Sequence, residues 1–321
     1  MDSALIIAFQ AAVMFILLFV GYFLYKAKMM SDDTTRQISS IVLTVVNPVI
    51  IFNTYMIDFN NELLAGLGIA LLLSLTAHIV LILAANIAVR KGRANYEIDR
   101  FAMIYCNCGF MGIPLIDATF GSEGVFYLTS FITMFNLFMW THGTLLMSGQ
   151  KTQSFRDTAK AFGKVLLSPA ILAIFIGLVF FFTGLRLPSI ITTPLEYIGS
   201  MNTPLAMLVS GATIAKAGLL RGFKCGRNYY IQLMKLLVVP AVLTLAFVPL
   251  AKLGVPMMLI NTVLIAAAAP TASATIMFSY RHGRDEDYAS GHFALSTIAS
   301  MLTMPLILML SAVYAGMLGV A

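Results

Sequence analysis

Cys106-Asn107-Cys108-Gly109-Phe110-Met111-Gly112-Ile113-Pro114 occupies the middle of a run, Phe101 to Thr119, that is otherwise apolar and long enough to cross a bilayer. Two glycines, a proline and an asparagine at mid-membrane depth are poor material for a continuous helix. Pro114 removes a backbone donor and frees the carbonyl four residues earlier, and glycines lower helix stability. In hydrocarbon, such freed groups persist only where protein or a water-filled cavity receives them. The stretch therefore reads as an interrupted helix lining a site. The competing reading is a proline kink in a packed helix.

The rest of the chain has the same apolar character. Of its 321 residues, 60% are hydrophobic and only 11% charged, which excludes a soluble domain. The net charge of +6 is no nucleic-acid footprint, because the basic residues fall in short loops between apolar runs. Cys106 and Cys108, two apart on a helix, would point to nearly opposite faces, which argues for bulk-filling thiols and against a shared metal. No metal site and no cofactor are expected. The first run, Leu5 to Tyr25, follows Asp2 and lacks a small-residue cleavage site, so it reads as a retained helix and not a signal peptide.

Hydropathy places ten spans, at about 4–25, 38–57, 63–89, 101–119, 125–147, 165–185, 194–215, 231–251, 259–280 and 292–318. The loops at 26–37, 90–100, 148–164, 216–230 and 281–291 hold seventeen of the twenty Lys and Arg residues. The alternate loops hold Arg186 and Lys252, and Lys235 falls in the first turns of the eighth span. The positive-inside rule then predicts a protein of the cytoplasmic membrane with both termini on the outer side.

Ten spans with a longer basic loop near 148–164 divide into two halves, 1–150 and 151–321. Because five is odd, the second half enters the membrane from the opposite side, giving the inverted repeat known among secondary transporters. Two internal matches support the division. The second span of each half carries an Asn beside a Pro, Asn47-Pro48 and Asn202-Thr203-Pro204. The fourth span of each half is interrupted, at Gly109 to Pro114 and at Ala269-Pro270-Thr271-Ala272-Ser273. Paired interruptions at corresponding positions point to a transport site.

A broken helix presents the N-terminus of its second half at the membrane midplane, where free N–H groups and the helix dipole favour an anion. Pro270 suits the first turn of such a half-helix. Thr271 and Ser273 can donate hydroxyl hydrogen bonds, and the Asn107 amide both donates and accepts. A small organic acid anion is the expected ligand, with Asn107, Gly109, Gly112, Pro114, Pro270, Thr271 and Ser273 around it. No arginine lies within a span, which favours a single carboxylate as its main handle. Asp117 and His142 are candidates for a coupling proton; the competing readings are a headgroup-level carboxylate and an interhelical histidine.

No HExxH, GxSxG or P-loop motif supports an enzyme. A channel, or a sensor that binds the anion without moving it, stays open beside the transporter reading.

The stretch Asn107 to Leu115 resembles the fourth-helix motif of the auxin efflux carrier family, which includes plant PIN-type auxin exporters and bacterial malate and malonate permeases. Asn47-Pro48, Ser168-Pro169, Asn202 through Gly211 and Ala269-Pro270-Thr271-Ala272 resemble the second, sixth, seventh and ninth helix motifs in order. The resemblance covers essentially the whole chain. It implies the fold of the bile acid:sodium symporter superfamily, with helices 4 and 9 crossing at their breaks. It further implies a scaffold of helices 1, 2, 6 and 7 that often forms a homodimer, and an elevator-like transport domain of helices 3–5 and 8–10. A sodium-coupled symporter of that superfamily is the alternative. The central loop, about seventeen residues here, is far shorter than in many plant members, and substrate identity does not carry over from auxin.

Overall fold

The computed structural model describes residues 3–149, 163, 166–217 and 225–320. Its helices, in chain order, are α1 (Ser3–Lys26), α2 (Asp32–Ile41), α3 (Asn47–Thr54), α4 (Asn61–Ala88), α5 (Tyr96–Ile104), α6 (Ile113–Phe138), α7 (Thr144–Ser148), α8 (Pro169–Thr183), α9 (Ser189–Ser200), α10 (Asn202–Ala217), α11 (Gly226–Leu233), α12 (Val239–Phe247), α13 (Met257–Ala268), α14 (Ala274–Arg281) and α15 (Glu286–Leu318). Among the described residues, five helical runs are long and apolar enough to cross a membrane: Asp32–Thr54, Asn61–Ala88, Cys108–Ser148, Gly226–Leu253 and Glu286–Leu318. The chain is an all-helical, multi-pass membrane protein. The boundary expected at 150/151 and most of the basic loop 148–164 lie outside the described residues.

Three prolines shape these runs in the same way. Each follows a single wide π-turn: Val42–Val46 before Asn47-Pro48, Cys108–Gly112 before Ile113-Pro114, and Met234–Val238 before Val239-Pro240. Proline has no N–H to give the carbonyl four residues back, and its ring crowds that turn. Widening the turn lets the preceding residue bond one position further back. Asn47, Ile113 and Val239 accordingly donate to the carbonyls of Val42, Cys108 and Met234. The helices continue through their prolines rather than ending at them. The true interruption in the fourth expected span is therefore Tyr105–Asn107, upstream of the Gly109–Pro114 stretch where the sequence suggested it.

The division expected between 101–119 and 125–147 falls at Gly121, where two helices meet across a kink; its φ of 65° and ψ of −160° suit glycine almost alone. The span expected at 194–215 is divided at Met201 into α9 and α10.

Helix pairing follows small residues. A Cβ on Gly21 of α1 would lie 2.3 Å from the Leu208 carbonyl oxygen, and one on Gly211 of α10 would lie 2.0 Å from that of Leu18. The two backbones touch, as small residues allow between membrane helices. On the other side, Gly177 of α8 admits the Tyr55 ring at the end of α3, where a Cβ would come within 2.7 Å. Leu259, Ile260 and Thr262–Ala268 of α13 are all buried, as befits a helix apolar all round. It packs against α4, α6 and α15 and so brings its broken end into the middle of the protein. Phe175, Ile176, Val179 and Phe182 on α8, and Leu72, Ile79, Leu83 and Ile87 on α4, face outward. Apolar surface of that extent fits lipid and not water.

Candidate functional site

Helix α5 stops at Ile104 and α13 stops at Ala268, and the two interruptions meet. Cys106 and Thr271 form an antiparallel bridge. Asn107 N–H donates to the Pro270 carbonyl at 2.7 Å, and Ala272 N–H donates to the Tyr105 carbonyl at 2.9 Å. Each break thus supplies the partners that the other has lost, which is how irregular backbone survives away from water. Side chains complete the repair. Thr271 N–H donates to Ser296 Oγ of α15 at 3.1 Å, and the Thr271 hydroxyl donates to the Ala102 carbonyl at 3.0 Å. Lys235 Nζ donates to the Met103 carbonyl at 3.3 Å. Ala102 and Met103 carry terminal carbonyls of α5, so a hydroxyl and a cation cap the negative end of that half-helix.

The sequence-derived residues gather here to different degrees. Asn107 is buried at 4% exposure; its carbonyl accepts from Met111 N–H at 3.0 Å, while its amide nitrogen has no partner. Gly109 leaves its backbone bare beside Asn47, where a Cβ would stand 3.1 Å from the Asn47 amide nitrogen. Asn47 is buried with its amide oxygen unpaired, and Pro48 follows it in α3. Gly112 closes the π-turn over Cys108, and Pro114 is buried in the first turn of α6. Pro270 and Thr271 are buried in the bridge, and Ser273 stands half-buried ahead of α14. Helix α10 packs against the same π-turn; Asn202 at its start is buried with both amide atoms unpaired, whereas Pro204 is exposed. A buried polar group without a partner costs about 1–3 kcal/mol. Asn107, Asn47 and Asn202 all carry such groups, on elements that pack around one break.

Asp117 is exposed on α6, away from the bridge. His142 reaches the break indirectly: its Nδ1 lies 2.8 Å from the Tyr105 hydroxyl, which donates to the Phe138 carbonyl at 2.9 Å. His78 is buried, with Nδ1 2.8 Å from the Ser74 carbonyl. The helical placement expected for Cys106 and Cys108 is corrected. Cys106 lies in the extended bridge, and Cys108 opens the π-turn beyond it, so the two do not share one helix. Among the described residues, no group of three or more His, Cys, Asp or Glu could hold a metal.

A second polar system escaped the sequence reading. Asp99 Oδ1 accepts from the Tyr288 hydroxyl at 2.8 Å and lies 3.0 Å from His292 Nε2, while Arg227 forms an ion pair with Oδ2. His292 Nδ1 lies 2.9 Å from Gln232 Nε2, which is also 3.4 Å from Thr271 Oγ1. Polar contacts therefore run from a part-exposed arginine to the crossover. The signal was present as helical spacing: Asn228, Gln232 and Lys235 stand at i, i+4 and i+7, and Tyr288, His292 and Ser296 at i, i+4 and i+8. Both polar stripes lie on apolar runs, and α11 packs against α15.

A family model described as membrane transport protein matches residues 6–308. An uncharacterized transporter of Methanothermobacter thermautotrophicus is 25% identical over 307 residues, covering 91% of this chain and 94% of that protein. An uncharacterized transporter of Methanocaldococcus jannaschii is 23% identical over 307 residues, covering 92% and 95%.

Proposed function

The chain belongs to the membrane transport protein family, that of the auxin efflux carriers, and from that premise we propose that it is a secondary carrier for a small organic acid anion, held at the crossing of its two broken helices. The observation that carries this reading is the unpaired amide nitrogen of buried Asn107, one residue from the Cys106–Thr271 bridge. A donor in that position, beside the start of a half-helix, suits a carboxylate oxygen.

In this reading the chain forms ten membrane helices in two inverted halves, 1–150 and 151–321. The packing of α1 on α10 and of α3 on α8 supports it, because exchanging the halves turns one pair (first and seventh spans) into the other (sixth and second). Those four spans serve as a scaffold and homodimer interface, and the two broken helices move with their neighbours in an elevator-like alternating access. The carrier sits in the cytoplasmic membrane with both termini outside, as its basic loops favour.

The test is uptake by proteoliposomes of labelled malate, malonate and lactate, each compared with its amide. Accumulation of an acid but not its amide, lost in Asn107→Ala, is the expected result. Equal passage of amides, or no passage of any acid, would overturn the anion reading.

A further inference from the structure

We propose that His292 is the proton-binding site of this carrier, and that Gln232 transmits its protonation to the helix crossover at Thr271. The contacts of the imidazole define the starting state. Gln232 Nε2 is a donor, so His292 Nδ1, 2.9 Å away, must accept; the ring proton then sits on Nε2 and is donated to Asp99 Oδ1 at 3.0 Å. His292 and Asp99 are both fully buried, and among the described residues nothing else hydrogen-bonds the ring nitrogens.

A proton can bind at Nδ1, converting the neutral imidazole into an imidazolium whose two N–H groups both donate. That state cannot face the Gln232 N–H. Gln232 holds the remedy within its own amide, because its Oε1 is buried without a partner. Turning the amide brings Oε1 to Nδ1–H and withdraws Nε2 from Thr271 Oγ1, 3.4 Å away in the present arrangement. Proton occupancy is thereby felt in the bridge that joins the two breaks. A static clamp between helices would leave Oε1 satisfied; here it is held in reserve.

The surrounding charges set the sign of the effect. Helix α5 supplies Asp99, and also Glu97, which is paired with Arg284 at 2.8 Å. The α11 run supplies Arg227, paired with Asp99, and buried Lys235, with Cys225 just ahead of it. Helix α15 adds Tyr288, hydrogen-bonded to Asp99. Tyr280 and Arg281 of α14 and Lys26 of α1 are exposed, and Lys216 of α10 pairs with Asp32 at 2.8 Å. Protonation thus takes the Arg227–Asp99–His292 group from no net charge to +1 beside the crossover. Resting here on the anion reading above, that charge favours anion binding, and by linkage the anion favours the proton. The two travel together.

The chain has four histidines, so 15N-histidine labelling of the detergent-purified protein gives a tractable ring-nitrogen spectrum. His292→Gln assigns the signal, and Tyr288→Phe, which shifts it, assigns it if the first variant fails to fold. We expect lowering the pH across the stable range of the folded protein to take His292 from the Nε2–H tautomer to the imidazolium. A ring that keeps one protonation state throughout that range overturns the site, whatever the flux. In proteoliposomes with malonate as the probe, an inward proton gradient should raise uptake by about tenfold, and His292→Gln uptake should ignore the gradient at any absolute rate. Malonate flux in the wild type that ignores the gradient overturns the coupling. Absence of malonate flux with a titrating His292 counts against the anion reading and leaves the proton site standing.

Discussion

Cys106 and Thr271 pair across an antiparallel backbone bridge, each lying in the interruption of a different helix. The breaks are therefore not open ends. Their N–H and carbonyl groups are committed to each other through Asn107–Pro270 and Ala272–Tyr105, and the Thr271 hydroxyl is committed to Ala102. What remains unpartnered at the crossing is side-chain chemistry: the amide nitrogen of Asn107 and the amide oxygen of the neighbouring Asn47, with Lys235 held to the Met103 carbonyl. On the proposed reading, structural and ligand-binding roles fall on different residues of one motif, and substitutions can separate them.

Asn107→Ala removes a donor that has no partner in the protein. Its cost to stability should be small, within about 1 kcal/mol, while anion uptake falls by at least tenfold. Thr271→Val should behave in the opposite way. It deletes the donor to the Ala102 carbonyl and the acceptor for Gln232 in a fully buried place, destabilising by about 1–3 kcal/mol. Thermal melting in detergent and uptake by proteoliposomes, measured on both variants, check the pair. An Asn107→Ala protein that melts well below the wild type would make that amide structural.

Lys235 is fully buried, and among the described residues no carboxylate lies within ion-pair distance of it; its one hydrogen bond is to the Met103 carbonyl. The dipole of α5 offsets part of the cost of that charge, but an unpaired ammonium away from water is expensive. Lys235→Met should therefore leave the melting temperature unchanged or raise it, by the equivalent of about 1–2 kcal/mol. Anion binding should weaken at the same time, because a residue kept at a cost to stability is kept for function. A variant that loses stability and keeps full affinity would assign Lys235 to capping alone.

The legible and illegible parts of this molecule divide on physical lines. Apolar length, Pro and Gly are local signals, so a multi-pass helical chain and the break at Ala269–Ser273 could be read directly, and the break in Phe101–Thr119 to within a few residues. The π-turns shifted the first interruption from Gly109–Pro114 to Tyr105–Asn107, because a helix can absorb a proline by widening, and hydropathy carries no trace of that. The contacts of Asp99 were hidden for another reason. Asp99 sits at the start of α5 among residues that look like a charged loop, and its partners Arg227, Tyr288 and His292 come from more than a hundred residues away. Only the helical spacing of Gln232 with Lys235, and of Tyr288 with His292, announced two polar faces in search of each other.

His282 terminates α14 outside the apolar runs. Burial, and then the charges of Arg281 and Arg284, push its imidazole below the usual histidine range. The unfolded chain consequently binds this proton more readily than the folded one. Stability from this site is complete above the unfolded value, near pH 6.5, and declines as pH falls below it. His282→Gln should flatten the acid side of the melting temperature against pH by a modest amount, since the ring is part-exposed. An unchanged acid limb would show that other groups control it.

Gly211 and Gly68 offer the same substitution with opposite expected signs. Gly211 faces α1 so closely that an alanine Cβ would stand 2.0 Å from the Leu18 carbonyl oxygen and 2.7 Å from Tyr22 N, both backbone atoms that cannot step aside. Gly211→Ala must push α1 and α10 apart, losing the contact around Gly21 as well, at a cost of about 2 kcal/mol or more. Gly68 is exposed inside α4, and a Cβ there would meet nothing within 4 Å. Gly68→Ala should gain about 0.5–1 kcal/mol, because alanine restricts the unfolded chain and suits the helix. Melting of the two variants in one detergent compares them directly. If Gly211→Ala melts at or above the wild type, α1 and α10 are not held in backbone contact, and their pairing rests on side chains instead.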